Sequence, residues 1–227
     1  MKNIEISRVE VQSNQLDFPD SSQISCILSK LAEPIRLMAW LMYETAARLG
    51  EIQSLRNLDF NRDTISFTSR KPTAFRVFKL TAELANCLLD YRAKTRRLFL
   101  DSGRCGEGAL PFSHQWLFPL KSVPGFEHVD YSCVIPTEVF SSSVLHTARI
   151  SGYSGGFHSH TLRLCCARKW LDDGCSTQEL HARLDHSDIM TTLMMAQALR
   201  YGGLTYTQSL QDHGTTRSAI TVTSRRS

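Results

Sequence analysis

The amino-acid sequence predicts an α+β protein, mainly α-helical, with a small antiparallel β-hairpin or sheet. Three observations predict it. Apolar residues recur at helical spacing early in the chain (Leu37, Met38, Leu41, Met42). Two alternating segments, 64–69 and 75–80, flank a turn containing Pro72. The last third carries three helical segments separated by Gly, Ser and Asp.

Taken in order, residues 1–30 form a polar lead-in with a short helix predicted from Ile24 to Lys30, capped by Ser21 or Ser22. Pro34 suits the first turn of the strong helix that follows, because its missing N–H is not needed there. Gly50 is expected to interrupt that helix, and Glu51 to Arg56 to form a second, shorter one. The hairpin comes next. Thr81 then caps a helix to about Leu100, with Leu84, Leu88 and Leu89 inward and Arg92, Lys94, Arg96 and Arg97 near its C-terminal end. Residues 101–135 form a long Gly-, Pro- and Ser-rich connection with a short strand expected at Trp116 to Pro119. Pro136 starts a helix to about Ile150, and helices follow at about His160–Asp173, Thr177–Leu184 and Ile189–Tyr201. Gly202-Gly203 stops the last. The main domain is expected over 31–212, with a disordered Ser/Thr/Arg-rich tail over 213–227.

A chain of 227 residues, 42% hydrophobic and 21% charged, can build a real core. A formal net charge of +4 permits a polyanionic partner without demanding one. Seven cysteines, an odd number with no C-x-x-C spacing, argue against a disulfide framework or zinc ribbon and fit reduced thiols in the cytoplasm. The N-terminus has no apolar signal core. The most apolar stretch, Ile35 to Leu49, carries Arg36, Glu44 and Arg48 and cannot span a bilayer.

Four separated pieces carry chemistry. In the first, Arg48 is followed three residues later by Glu51 within Tyr43-Glu-Thr-Ala-Ala-Arg-Leu-Gly-Glu-Ile-Gln-Ser-Leu55, and Leu58-Asp59-Phe60 leads into the hairpin. In the second, Lys71 in the hairpin turn precedes Arg76 by five residues. The third is His160-Thr-Leu-Arg163, opening a helix. The fourth is Leu184-Asp-His-Ser187 followed by Thr191-Thr192. Singly each is weak: Arg48 reads as a helix-end salt bridge, and a hairpin lysine as solvated surface. In this order and context they resemble the catalytic domain of the tyrosine recombinases (phage integrases), over roughly residues 30–200. Asp185 stands where that family usually has glycine.

The resemblance implies a metal-free, cofactor-free DNA strand transferase. Two guanidiniums, Arg48 and Arg163, would clamp the non-bridging phosphate oxygens bidentately, a geometry lysine cannot reproduce. Lys71 would protonate the departing 5′ oxygen as general acid. His160 and His186 would hydrogen-bond the phosphate or the nucleophile. In the family a tyrosine hydroxyl then attacks, nine residues after the box histidine. Counting from His186 lands on Met195, whose thioether has no ionisable proton.

Tyr206, beyond Gly202-Gly203, is the preferred substitute nucleophile, acting in its own site or a neighbouring subunit's. Tyr201 comes second: a continued helix places it about 9 Å past Met195 and roughly 240° around the axis. Met194 and Met195 read as core or groove-lining residues. His158, His160, His181 and His186 do not have convincing metal-ligand spacing with an acidic or cysteine partner. About 30 residues precede the resemblance, too few for the family's helical core-binding domain, as in the short fimbrial phase-variation invertases or a truncated copy. The implied partners are double-stranded DNA and further copies of the chain, with no membrane and no small-molecule substrate. Three readings stay open: a cleaving recombinase, a DNA-binding relative that has lost cleavage and serves as accessory, regulator or degenerate copy, and a helical protein with no nucleic-acid role whose motif matches are chance.

Overall fold

The computed structural model describes residues 18–69, 75–102, 110–120 and 133–201. Helix α1 (Ser21–Lys30) begins one residue after Asp20, whose carboxylate accepts from Gln23 N at 2.8 Å while Gln23 Oε1 accepts from Asp20 N at 2.9 Å. This reciprocal capping box corrects the expected serine cap: the carboxylate satisfies an orphan amide and complements the helix dipole. Ile24 and Ile27 of α1 are buried in the same apolar cluster as the next helix.

Helix α2 (Ile35–Thr45) follows Pro34 and buries Leu37, Met38, Leu41 and Met42 as its spacing predicts. The break after α2 falls at Ala46–Arg48 instead of Gly50. Ala46 takes a left-handed backbone (φ 51°), and Gly50 lies inside α3 (Leu49–Gln53). A non-glycine residue tolerates that conformation here because its carbonyl is claimed by Arg163 from another helix.

Strands β1 (Phe60–Asn61), β2 (Thr64–Thr68) and β3 (Phe75–Lys79) form an antiparallel sheet in that order, with Phe67 opposite Arg76 and Ser66 opposite Val77. Along β2 the apolar residues Ile65 and Phe67 point inward. On β3 the pattern is inverted: Arg76 is buried while Phe75 and Val77 are exposed. A guanidinium is tolerated inside because it finds a carboxylate and a backbone carbonyl there.

Helix α4 (Ala82–Asp101) starts at its predicted cap: Thr81 Oγ1 accepts from Leu84 N and donates to Glu44 Oε1 at 2.5 Å, tying α4 to the end of α2. Leu84 and Leu88 are inward with Ala85, Tyr91 and Phe99, and Leu89 is half-buried. The helix outlasts its basic run, so the last turn carries no arginine or lysine; Arg92 Nη1 instead donates to Phe60 O at 2.8 Å. The strand expected at Trp116 to Pro119 is only two isolated bridges, Arg56 with Trp116 and Pro119 with Val134. The Arg56 guanidinium lies 3.0 Å over the Trp116 ring, which holds this segment without a ladder.

Helices α5 (Thr137–Ile150), α6 (Ser159–Asp172), α7 (Thr177–Leu184) and α8 (Ile189–Tyr201) complete the described chain. The observed architecture is therefore mainly helical with one small antiparallel sheet. Among the described residues, two apolar clusters form the core. The larger joins α1, α2, α4, α5 and the sheet; the smaller joins α6, α7 and α8 around Leu180, Leu184, Met195 and Leu199. Ala46 belongs to the smaller cluster and Ala47 to the larger, so the α2–α3 link runs along the seam between them. Among the described residues no helix is long and apolar enough to cross a membrane.

Candidate functional site

The C-terminal end of α7 organises the site. A helix end leaves carbonyls without intrahelical partners and carries partial negative charge. Here three consecutive carbonyls each accept from a different arginine on a different element. Arg76 Nη1 on β3 donates to Arg183 O at 2.6 Å, Arg163 Nη2 on α6 to Leu184 O at 2.6 Å, and Arg48 Nη2 at the start of α3 to Asp185 O at 3.1 Å. Arg163 Nη1 also donates to Ala46 O, so one buried guanidinium bridges the ends of α2 and α7.

Glu51 is the carboxylate among these cations. Its Oε1 accepts from Arg76 and lies 3.5 Å from Arg48 Nη1, while Oε2 accepts from Arg48 N at 2.6 Å. Asp185 ends α7 with a left-handed backbone (φ 52°), a conformation aspartate tolerates better than most residues. Its carboxylate Oδ1 accepts from Ser69 Oγ at 2.9 Å, joining the end of the hairpin to this turn.

Two histidines complete the cluster. His160 sits in the first turn of α6, one helical turn before Arg163. Burial, then the charges of Arg163 and Arg48, hold its imidazole below the usual range. His186 follows Asp185, and burial, then Arg163 and Arg48, push it down to about 3. Both rings are therefore uncharged at neutral pH and can donate a single N–H without adding to the charge. Arg163 is pushed down to about 9, first by burial and then by Arg48, and remains cationic at neutral pH. The arrangement presents guanidinium and imidazole N–H groups in a partly desolvated setting, the chemistry that receives an oxyanion.

Four of the residues singled out by sequence, Arg48, His160, Arg163 and His186, are thus brought together. Lys71 and Tyr206 lie outside the described residues, as does the tail. Tyr201 ends α8, and its side chain is likewise outside the description. Met195 is 6% exposed, on the inward face of α8 with Thr192, Ala196 and Leu199. Among the described residues, no His, Cys, Asp and Glu side chains gather in threes as a metal cage; His181 and His186 instead meet on the hydroxyl of Thr192.

Sequence reasoning missed three participants. Arg76 entered only as a spacing mark after Lys71. Ser69 carried no signal. His181 was weighed only as a metal ligand, and its spacing of five residues from His186, which lies beyond the end of α7, carries no helical face signal.

Comparison with known proteins gives a consistent picture. A profile of the phage integrase family matches residues 15–198. Proteins described as integrase/recombinase from Escherichia coli and from Pseudomonas aeruginosa are each 29% identical over 197 residues, covering 78% of this chain. The chain spans 58% of the length of each of these relatives. Among solved structures, XerA recombinase superposes with a TM-score of 0.55 at 18% identity, covering 79% of this chain and 60% of that one. The catalytic domain of bacteriophage HP1 integrase gives 0.50 at 20% identity, covering 81% and 94%. XerH site-specific recombinase bound to its difH substrate gives 0.57 at 16% identity, covering 78% and 49%. At these identities the structures speak for the fold, and the profile, matching most of the chain, decides the family: this protein belongs to the phage integrase family.

Proposed function

We propose that the chain is a cytoplasmic DNA strand-exchange protein that works as a multimer on duplex DNA and cuts and rejoins it without metal. One backbone phosphate would lie between Arg48 and Arg163, with His160 and His186 donating to its oxygens. The observation that carries this reading is the meeting of those four side chains, from separated segments, at the end of α7. Structural neighbours solved with DNA, such as XerH on difH and the Tn1549 integrase on transposon end DNA, lend it support.

In the step proposed, the oxygen of a tyrosine, Tyr206 first and Tyr201 second, forms a bond to phosphorus as the bond to the 5′ oxygen breaks. Lys71 gives a proton to the departing oxygen, and a histidine assists removal of the phenolic proton. The two guanidiniums stabilise the charge that grows on the non-bridging oxygens. The phosphotyrosine retains the bond energy, so a second DNA end can reverse the step.

A second reading has its own observation. Met195 fills an apolar cluster between α6, α7 and α8, so the family's nucleophile position is occupied by packing, and the chain would bind DNA without cleaving it. A nicked duplex that traps covalent intermediates separates the two. The expected result is an adduct with the wild-type chain that disappears in Tyr206→Phe, or in Tyr201→Phe if the second candidate is the nucleophile. No wild-type adduct, with one formed by Met195→Tyr, would establish the silent reading. Failure to bind any duplex at low salt, where phosphate contacts are strongest, would remove both.

A further inference from the structure

Thr192, fully buried on the inward face of α8, links two imidazoles. Its hydroxyl lies 2.9 Å from Nδ1 of His186 and 2.9 Å from Nδ1 of His181 on α7. A hydroxyl has one proton, so it donates to at most one of these nitrogens and accepts from the other. When both rings are uncharged, one Nδ1 bears a proton and the other is bare.

His186 stands among Arg163, Arg48 and His160, and burial with those charges keeps it uncharged. It therefore carries one ring proton, on either Nδ1 or Nε2. If Thr192 donates to its Nδ1, the proton is on Nε2, at the other edge of the ring and directed away from Thr192. His181 must then supply an Nδ1–H to the hydroxyl, which it can do whether neutral or charged. The opposite arrangement requires His181 to be neutral with its proton on Nε2. Of these alternatives, only the first gives a bound oxyanion an N–H from His186; the second turns a lone pair toward it.

We propose that His181 is a positioning residue of the phosphate site: through the Thr192 hydroxyl it fixes the Nε2–H tautomer of His186, making that imidazole a donor to an anionic phosphate oxygen. The inference rests on the phosphate-binding reading above for what His186 donates to. The link itself stands on the geometry of α7 and α8. It also gives the fourth motif a physical content, since Thr192 is the second residue of its Thr-Thr pair and His181 lies in the last turn of α7, five residues before its histidine.

Isotope-labelled histidine in the full chain, read by long-range proton–nitrogen correlation spectra at neutral pH, reports each ring's tautomer directly. The expected result is Nε2–H at His186 in the wild type and a mixture of tautomers in His181→Leu and Thr192→Val. The Nε2–H form should return in His181→Gln, whose amide N–H can donate to the hydroxyl, and persist in Thr192→Ser, which keeps the hydroxyl. Nδ1–H at His186 in the wild type, or a pure Nε2–H form surviving His181→Leu, would overturn the proposal. Should Thr192→Val fail to fold, His181→Leu decides, because that side chain is only half-buried.

Binding to a short duplex at low salt gives the second readout. His181→Leu should weaken affinity by about two- to tenfold as the competent tautomer falls to a half or a tenth of the population, and His181→Gln should restore it. A tautomer change with unaltered affinity would overturn the positioning role. Absence of duplex binding by the wild type would count against the DNA reading alone, because the spectra test the His181–Thr192–His186 link without DNA.

Discussion

Arg163 makes hydrogen bonds to two helix ends with one side chain, donating to Ala46 O and Leu184 O from a buried position. A planar fork can reach both carbonyls, whereas an ammonium is a single point. Arg163→Lys leaves at least one buried carbonyl unpaired and is expected to destabilise the protein by about 1–3 kcal/mol, seen as a lower urea midpoint. An unchanged midpoint would contradict the bridging geometry. The H-x-x-R spacing was enough to single out this residue, but not its partners, which lie 117 and 21 positions away. Arg76 shows the same limit more sharply. Its alternating surroundings on β3 make Phe75 and Val77 the natural inward residues, and only Glu51 and Arg183 O explain why the guanidinium faces inward instead.

At the scale of elements, the turn after α7 does most to shape the site. Asp185 is left-handed there, which strains any residue with a Cβ and leaves glycine unstrained. Asp185→Ala and Asp185→Gly both lose the acceptor of Ser69, so their difference isolates the backbone. The glycine variant should be more stable than the alanine variant by about 1 kcal/mol, and coincident urea curves would show that the turn is not left-handed. The bounds of α7 and α8 were legible because Ser176 and the Asp185–Ser187 turn punctuate clear helical segments. The α2–α3 break was not. Glycine is the usual breaker, yet Gly50 is helical, and the real break is held by contacts from Arg163 and Glu51.

At the scale of the whole molecule, the two apolar clusters of the described residues meet along a seam that holds several cations and two uncharged histidines. This makes stability acid-sensitive in a defined direction. His186 titrates near 6.5 when exposed and near 3 when folded, so between those values the unfolded chain binds more protons. Stability from keeping this ring neutral is fully present above pH 6.5 and is lost progressively as the pH falls toward 3. His160 is shifted in the same direction. Urea midpoints measured across this window should fall on acidification, and His186→Asn should make the decline shallower. Equal slopes in the two proteins would show that His186 is not held uncharged.

By itself the sequence determined the mainly helical class with its small antiparallel sheet, most helix bounds, and the resemblance that drew Arg48, His160, Arg163 and His186 into one hypothesis. These rest on local information: periodicity reports which face of a segment is apolar, and punctuation reports where it ends. Only the tertiary structure decided that Arg76, Arg163 and Arg48 take the carbonyls of Arg183, Leu184 and Asp185 in succession, across separations of 107, 21 and 137 residues. It likewise decided that Met195 packs into the core and that Thr192 joins His181 to His186. Such contacts arise when helices pack, because a helix end leaves carbonyls that must find donors wherever the fold supplies them.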